Sequence, residues 1–427
     1  MEDKLEQKPL VRVLIVDDSK AVRTMVHRWL LAEPSIRVVG EAEDGYQAIT
    51  ASKVYDPDVI ILDVEMPGIS GIEALRKIRT HDPDKTVIMF SATTQKGASA
   101  TIEALSMGAS DYVTKPTSER GSDNGVDATR VDLVSKILAL GSRKKRPKFP
   151  SPVARYGAPP VPVPLERSIG KDAKVVGVRT SLVAKTKVIH GDPQQKDMKT
   201  RDKATMMSPG GASGLRSALR PSTLKAEAVV IASSTGGPAA LSEVIPKLPP
   251  DLKVPVLIVQ HMPPLFAEML AERLDGRSPL EVKIAEEAEP VRPGVIYIAP
   301  GGRHLEVERR GAHSTHCRLS DGPPEQSCRP SANVLFRSAA LVWKQQLLGV
   351  VLTGMGADGC DGSRVIVANG GSVIVQDEPT SVIWGMPGAV AKAGVASAQI
   401  PLEQVAQEIR LRVKNSGHVY DASSSDE

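Results

Sequence analysis

The sequence predicts two doubly wound α/β domains, the first on a parallel five-stranded sheet, joined by a long basic connector. Three observations carry this expectation. Short apolar runs alternate with amphipathic stretches twice along the 427 residues, first from Val11 to about Leu140 and again from Ala226. Hydrophobic residues make up 41% of the chain but aromatics only 3%, so the cores must rest on Val, Ile, Leu and Ala, as in buried parallel strands covered by helices. Between the two regions no periodic pattern is sustained. A chain of this length is also expected to form more than one core.

In the first region Val11 to Val16 reads as a strand ending at Asp17-Asp18. A helix follows from Lys20 to Leu31, with Val22, Met25, Val26, Trp29 and Leu30 on one face. Arg37 to Gly40 is strand-like and Gly45 to Val54 helical. Val59 to Leu62 is a strand leading into Asp63, and Gly71 to Ile78 is helical. Val87 to Phe90 is a strand leading into Ser91, and Gln95 to Met107 is helical. Asp111 to Val113 is a short strand, and Val131 to Leu140 a closing helix. Functional residues of such sheets gather at the carboxyl ends of the strands.

From Gly141 to Lys225 there are 19 Lys and Arg against 5 Asp and Glu, while the net charge of the whole chain is only +4. The segment opens with Arg143-Lys144-Lys145-Arg146 and continues Pro-rich, then rich in Lys, Gly and Ser. Val175, Val176 and Val178 could form a transient strand. About eighty residues without periodicity do not belong inside a compact domain, so residues 141–223 are read as a linker. The basic run could serve as a nucleic-acid patch, but a solvated linker is the simpler reading. Because the positive charge is confined to one segment, a uniformly basic DNA binder is not expected.

In the second region strands are expected at Ala228 to Ile231, Val256 to Val259, Gly294 to Ile298, Leu348 to Leu352 and Ser372 to Gln376. Helices are expected between them, for example Ala239 to Lys247 and Leu265 to Arg273. The polar, acidic tail, residues 415–427, is expected to be disordered. The three cysteines, Cys317, Cys328 and Cys360, form no C-x-x-C pair, so neither a zinc knuckle nor a disulfide framework is indicated. The charged N-terminus lacks a signal-peptide core, and no apolar run reaches the roughly 18 residues of a membrane span. A cytoplasmic protein is expected.

Asp17, Asp18 and Asp63 converge from two strand ends and need a cation, for which a hard ion such as Mg²⁺ is suited. Ser91 ends the fourth strand with a hydroxyl, and Lys115 follows the fifth. An Asp-Asp pair alone would be a turn or cap. Carboxylate, metal, hydroxyl and ammonium at four strand ends instead make a phosphoryl-transfer site. Asp17-Asp18, Leu62-Asp63-Val64-Glu65-Met66-Pro67-Gly68, Ser91-Ala92 and Lys115-Pro116 resemble a response-regulator receiver, a flavodoxin-like fold, over residues 11–135. The resemblance implies that Asp63 accepts phosphate and that Asp17, Asp18, Asp63 and the Glu65 carbonyl bind Mg²⁺. It further implies that Ser91 and Lys115 contact the phosphoryl group and that Tyr112 is the aromatic switch.

In the second domain Ala228-Val229-Val230-Ile231 leads into Ala232-Ser233-Ser234-Thr235-Gly236-Gly237-Pro238. A serine on a tight strand-to-helix turn exposes its hydroxyl beside a helix N-terminus. Gly-rich turns also bind phosphates, but this one lacks the Gly-Lys-Ser/Thr of a P-loop and the dinucleotide spacing. His261 and Asp358 follow two further strands. Each alone has a structural reading; together with a serine they supply nucleophile, base and orienting carboxylate. Their chain order, Ser-His-Asp, differs from the Ser-Asp-His of α/β-hydrolases.

Ser234-Thr235-Gly236-Gly237, Gln260-His261-Met262-Pro263, Tyr297-Ile298-Ala299-Pro300-Gly301, Arg329-Pro330-Ser331, Thr353-Gly354-Met355-Gly356-Ala357-Asp358-Gly359 and Gly385-Met386-Pro387 resemble the chemotaxis protein-glutamate methylesterases over residues 224–414. The resemblance implies a phosphorylation-activated serine hydrolase acting on glutamyl methyl esters, and on glutamines, of methylated chemoreceptors. It implies Ser234 as nucleophile, His261 as base and Asp358 as its orienter, with no cofactor for the esterase. Amides near Thr235 and Met355 are oxyanion-hole candidates. A chemotaxis histidine kinase would be the phosphodonor, at membrane-bound receptor arrays and without membrane insertion or DNA binding. Three departures stand out. Ala232-Ser233 replaces the usual Gly-Ala and makes Ser233 a rival nucleophile, Cys328 stands where many relatives have His, and the linker is unusually long. A transcriptional regulator would need a C-terminal helix-turn-helix, where α/β alternation stands instead. A scaffold with a dead site would not need the complete triad.

Overall fold

The computed structural model describes residues 10–116, 123–141, 225–311 and 314–413. The first region folds as β1 (Val11–Val16), α1 (Lys20–Leu31), β2 (Ile36–Ala42), α2 (Gly45–Tyr55), β3 (Val59–Asp63), α3 (Gly71–His81), β4 (Thr86–Ser91), α4 (Gln95–Ser106), β5 (Asp111–Thr114) and α5 (Asp123–Gly141). Its strands pair in parallel in the order β2-β1-β3-β4-β5. All five residues of β3 are buried, as a central strand covered by helices on both faces requires. Side chains of Ser19, Asp44, Ser70 and Thr94 cap the first four helices, and Ser70 forms a capping box with Glu73. The last helix, α5, ends at Gly141, one residue past the Leu140 expected for it, and begins earlier than the expected Val131.

The second region folds as β6 (Ala228–Ser233), α6 (Gly237–Val244), β7 (Val256–Gln260), α7 (Pro264–Asp275), β8 (Glu281–Ile284), β9 (Val295–Ile298), β10 (His304–Arg310), β11 (Ser314–Ser320), α8 (Ala332–Trp343), β12 (Leu347–Val351), α9 (Cys360–Ala368), β13 (Ser372–Gln376), α10 (Met386–Lys392), β14 (Ala398–Ile400) and α11 (Val405–Arg412). Seven strands form a parallel sheet in the order β14-β13-β12-β6-β7-β9-β8, and β10 and β11 form a separate antiparallel hairpin. The chain winds outward from β6 to β8, then returns to lay β12 on the other side of β6. The topological switch point, where such sheets bind ligands, therefore lies between β6 and β12. The expected five strands are present. Short β8 and β14 and the charged hairpin are additions: only Val282 of β8 is buried, and β10 carries Glu306, Glu308, Arg309 and Arg310.

Helix α4 of the first domain packs against α6 and α7 of the second. At this seam the Tyr112 ring stacks on Phe266, with centroids 4.7 Å apart and planes 13° from parallel. One apolar cluster runs through it, from Met89 and Ile102 to Phe266 and Leu270. Helix α6 begins three residues after Ser234 and α7 three residues after His261, so the receiver-like domain rests on the two helices that follow the candidate nucleophile and base. The expected linker at 141–223, apart from Gly141 itself, the strand expected in it at Val175, Val176 and Val178, and the tail at 415–427 lie outside the described residues. No helix among the described residues is long and apolar enough to cross a membrane.

Candidate functional site

The first site lies at the carboxyl ends of β1, β3 and β5. Asp17 and Asp63 are buried and Asp18 is exposed, and one carboxylate oxygen of each falls within a 4.8 Å group. Lys115 Nζ lies 2.7 Å from Asp17 Oδ2 and 2.9 Å from Asp63 Oδ2. Burial and then the neighbouring Asp17 charge push the Asp63 carboxyl up to about 6, against the pull of Lys115 and of the Glu65 N–H. Lys115 moves up too: burial opposes its charge, but the bonds and charges of Asp17 and Asp63 outweigh it. An all-oxygen set, two members buried and one exposed, whose charge repulsion is only partly offset, fits a hard divalent cation.

Around this pocket the expected residues divide. Glu65 donates its amide to Asp63 Oδ1 at 3.3 Å, while its carboxylate faces Lys96 at 3.4 Å on the surface. Ser91 is fully buried, and its hydroxyl donates to the carbonyls of Gly97 (3.1 Å) and Ala92 (3.2 Å) rather than to Asp63. Tyr112 lies on β5 opposite Met89, two residues before Ser91 in register. Its ring is held between Phe266 and Lys136, whose Nζ is 5.2 Å from the ring centre and donates to the Tyr112 carbonyl at 2.7 Å.

The second site gathers at the ends of β6, β7 and β12, at the switch point. Strand alternation separates the two serines. Ser233, opposite Gln260 in register, is fully buried and donates its hydroxyl to Gln260 Oε1 at 2.7 Å, whereas Ser234 is partly exposed on the turn. Gln260 Nε2 donates to the carbonyls of Ser234 (3.0 Å) and His261 (3.2 Å), so one side chain ties the serine turn to the histidine loop. Gly237 makes room for it: a Cβ there would meet Gln260 Oε1 at 1.9 Å. The Ser234 amide donates to the Thr353 carbonyl at 3.0 Å, and the Thr353 hydroxyl to the Thr235 carbonyl at 2.9 Å, which binds the third loop. The amides of Thr235 and Met355 have no acceptor among the described residues, as oxyanion donors require.

His261 Nε2 lies 2.7 Å from Asp358 Oδ2. Asp358 is buried and saturated. Oδ1 accepts from the Ser331 hydroxyl (2.8 Å) and the amides of Asn333 (3.0 Å) and Gly359 (2.9 Å), and Oδ2 also accepts from the Ala332 amide (2.6 Å). Burial alone would raise this carboxyl; the bonds and charge of His261 and the amides of Ala332 and Asn333 hold it below its usual value. Ser331 is set in turn by buried His304, whose Nδ1 accepts the Ser331 amide at 3.1 Å while Nε2 faces the Pro323 carbonyl at 3.1 Å. The other nitrogen of His261, Nδ1, meets Cys328 Sγ at 3.5 Å. Burial opposes a charge on His261, but the Asp358 and Cys328 contacts prevail and push it up to about 9. With the ring so engaged, no hydrogen bond joins Ser234 Oγ to His261 in this arrangement.

His261 and Asp358 thus meet, and Ser234 stands on the adjoining loop. Sequence reasoning gave no role to Gln260, His304 or Ser331. Gln260 and Ser331 lay inside the motifs that carry the family resemblance, which was the available signal.

Residues 229–409 match the CheB methylesterase family and residues 13–122 the response regulator receiver domain. The protein-glutamate methylesterase/protein-glutamine glutaminase 2 of Caulobacter vibrioides is 42% identical, across 95% of this chain and 99% of that protein. A protein-glutamate methylesterase/protein-glutamine glutaminase of Nocardioides is also 42% identical, across 95% of this chain and 96% of that protein. Among solved structures, the Thermotoga maritima CheB methylesterase catalytic domain is 40% identical, covering 44% of this chain and 100% of that chain, with a TM-score of 0.43.

Proposed function

The chain belongs to the CheB methylesterase family, and from that premise we propose that it hydrolyses glutamyl γ-methyl esters on methylated chemoreceptors, releasing methanol, and deamidates receptor glutamines. The observation that carries the reading is the saturated, buried Asp358 fixed 2.7 Å from His261, beside a partly exposed Ser234 at the switch point of the sheet.

In this reading Ser234 attacks the ester carbonyl, and the amides of Thr235 and Met355 receive the charge that develops on its oxygen. His261, freed from its proton, takes the serine proton, passes it to the departing methanol, and then activates water against the acyl-enzyme. Asp358 orients the ring and offsets its charge. The proton that His261 holds at rest must leave before the first step.

Asp63 is the proposed phosphoacceptor. Asp17, Asp18 and Asp63, with the Glu65 carbonyl, would hold Mg²⁺, which when bound offsets the charge of the incoming phosphoryl group. Lys115 pairs with that group, and the Ser91 hydroxyl turns from Gly97 to meet it. A histidine kinase supplies the phosphate, and the work is done in the cytoplasm at receptor arrays. The proposed domain limits are 11–135 for the receiver, 141–223 for the linker and 224–414 for the hydrolase.

The test is methanol release from methylated chemoreceptors with and without a small-molecule phosphodonor. Ser234→Ala should abolish release, and Asp63→Asn should keep the resting rate but lose the stimulation. Full activity of Ser234→Ala would sink the nucleophile assignment, and full stimulation of Asp63→Asn would sink the phosphoacceptor assignment.

A further inference from the structure

The Ser234 chemistry leaves one nucleophile at this site unused. Cys328 Sγ lies 3.5 Å from His261 Nδ1, the opposite ring nitrogen bonds Asp358 at 2.7 Å, and Asp358 is itself pinned by one hydroxyl and three amides. A sulfur, an imidazole and an orienting carboxylate in line are the parts of an activated nucleophile. The sulfur is also fixed in place. Gln326 and Ser327 adopt positive φ (49° and 64°), folding the loop so that Glu325 and Cys328 exchange N–H···O bonds of 3.1 and 2.9 Å. The Glu325 carboxylate is anchored by Arg337 at 2.8 Å.

We propose that Cys328 is a modification site, at which a small peroxide oxidises the sulfur to a sulfenic acid and thereby silences the hydrolase through His261. Sγ and Nδ1, 3.5 Å apart, are close enough to pass one proton between them. With the proton on nitrogen, the sulfur attacks one peroxide oxygen: an S–O bond forms and the O–O bond breaks. The departing oxygen takes the Nδ1 proton and leaves as water. The sulfur is oxidised by two electrons and the peroxide reduced by the same two. The new S–OH stands against Nδ1, adding an oxygen where the ring must move to serve Ser234. A dithiol reverses the step by displacing water from sulfur and then closing its own disulfide.

The structure also makes the reaction selective. Cys328 is half-buried, within reach of a small oxidant. Cys317 is fully buried, its thiol pushed up to about 12 by burial, and Cys360 is buried with its thiol donating to the Ala389 carbonyl at 3.6 Å.

The silencing rests on the proposed hydrolase reading; the modification does not. The full-length protein is treated with dilute hydrogen peroxide and dimedone, and adduct at each of its three cysteines is read by mass spectrometry. Cys328 should carry about tenfold more adduct than either other cysteine, and His261→Gln or Asp358→Asn should lower that excess. Equal labelling of all three cysteines overturns the proposal. In parallel, methanol release is measured as a fraction of each variant's own untreated rate. Peroxide should suppress wild type, dithiothreitol should restore it, and Cys328→Ser should be resistant. Labelled Cys328 with undiminished release, or Cys328→Ser suppressed as fast as wild type, overturns the silencing. A protein that releases no methanol even untreated refutes the hydrolase reading, while the labelling still decides on Cys328.

Discussion

Replacing Tyr112 or Phe266 by leucine should raise hydrolysis by the unphosphorylated enzyme. The two rings stack at 4.7 Å and 13°, one from each domain, and both are buried. An aromatic pair contributes about 0.5–1.5 kcal/mol beyond its buried area. If that term favours only the docked arrangement, its loss multiplies the undocked fraction by about 2- to 12-fold, because 1.4 kcal/mol is a factor of ten. Leucine keeps much of the apolar surface, whereas alanine at Phe266 would add a cavity cost of about 3–5 kcal/mol and confuse folding with docking. The Tyr112 main chain is held separately by Lys136, so β5 should keep its place in the variant. Resting methanol release is measured for both single variants and the double, with thermal unfolding as the control on folding. Both singles should rise, and the double should rise little beyond the larger single, since either change removes the same contact. An unchanged resting rate in well-folded singles would refute the reasoning, and so would a double equal to the product of the two.

The remaining expectations concern the hydrolase loops. Gly237→Ala places a Cβ 1.9 Å from Gln260 Oε1 and 2.9 Å from Ser233 Cβ, so it should cost about 1–3 kcal/mol in unfolding and about 100-fold in rate. Adding Gln260→Ala should recover melting temperature but not turnover, because the tie between the loops is gone. His261 is raised from 6.5 to about 9, so the folded state binds the extra proton: the stability is fully present below pH 6.5 and lost as pH rises through 9. That linkage is on the order of 3 kcal/mol. The melting temperature should fall from pH 7 to 10, and less so in Asp358→Asn. Resting hydrolysis, corrected with Ser234→Ala, should rise about tenfold per pH unit toward 9 as neutral imidazole appears; a flat profile would contradict a proton held on His261. Asp358→Asn puts an N–H₂ among five donors, so at least one is left facing a donor. A loss of about 1–3 kcal/mol and about 10³–10⁴ in rate is expected.

What could be read from the chain was what lies at the ends of apolar runs. Asp17, Asp63, Ser91, His261 and Asp358 each stand at or beyond the end of a strand that periodicity alone reveals, and parallel sheets align such ends. Ser234 was preferred over its rival Ser233 through the Thr-Gly-Gly that follows it, although both end the same run; the fold adds that Gln260, 27 residues away, takes the Ser233 hydroxyl into the sheet. Asp358 could be named as an acid, but its setting could not, since Ser331, Ala332 and Asn333 reach it from the start of α8. The start of α5 was missed because Asp123-Asn124-Gly125 carries no apolar signal. β8, with Glu281 and Lys283 flanking Val282, lacks the buried run of a central strand because it is an edge.

The seam and the chemistry share their scaffolding. Helix α4 touches α6 and α7, and these begin where the serine turn and the histidine loop end. Gln260 ties those two loops at their carbonyls, and Thr353 ties the serine turn to the third loop. A displacement at either helix therefore cannot stay on one loop: the ties carry it to the others, and the ring held between Asp358 and Cys328 is the part with somewhere else to go. Control by the receiver consequently needs no direct contact with Ser234. It needs only a differential grip on α6 and α7 between the resting and phosphorylated states. A substitution at the seam should accordingly alter resting turnover even when it leaves every catalytic side chain in place.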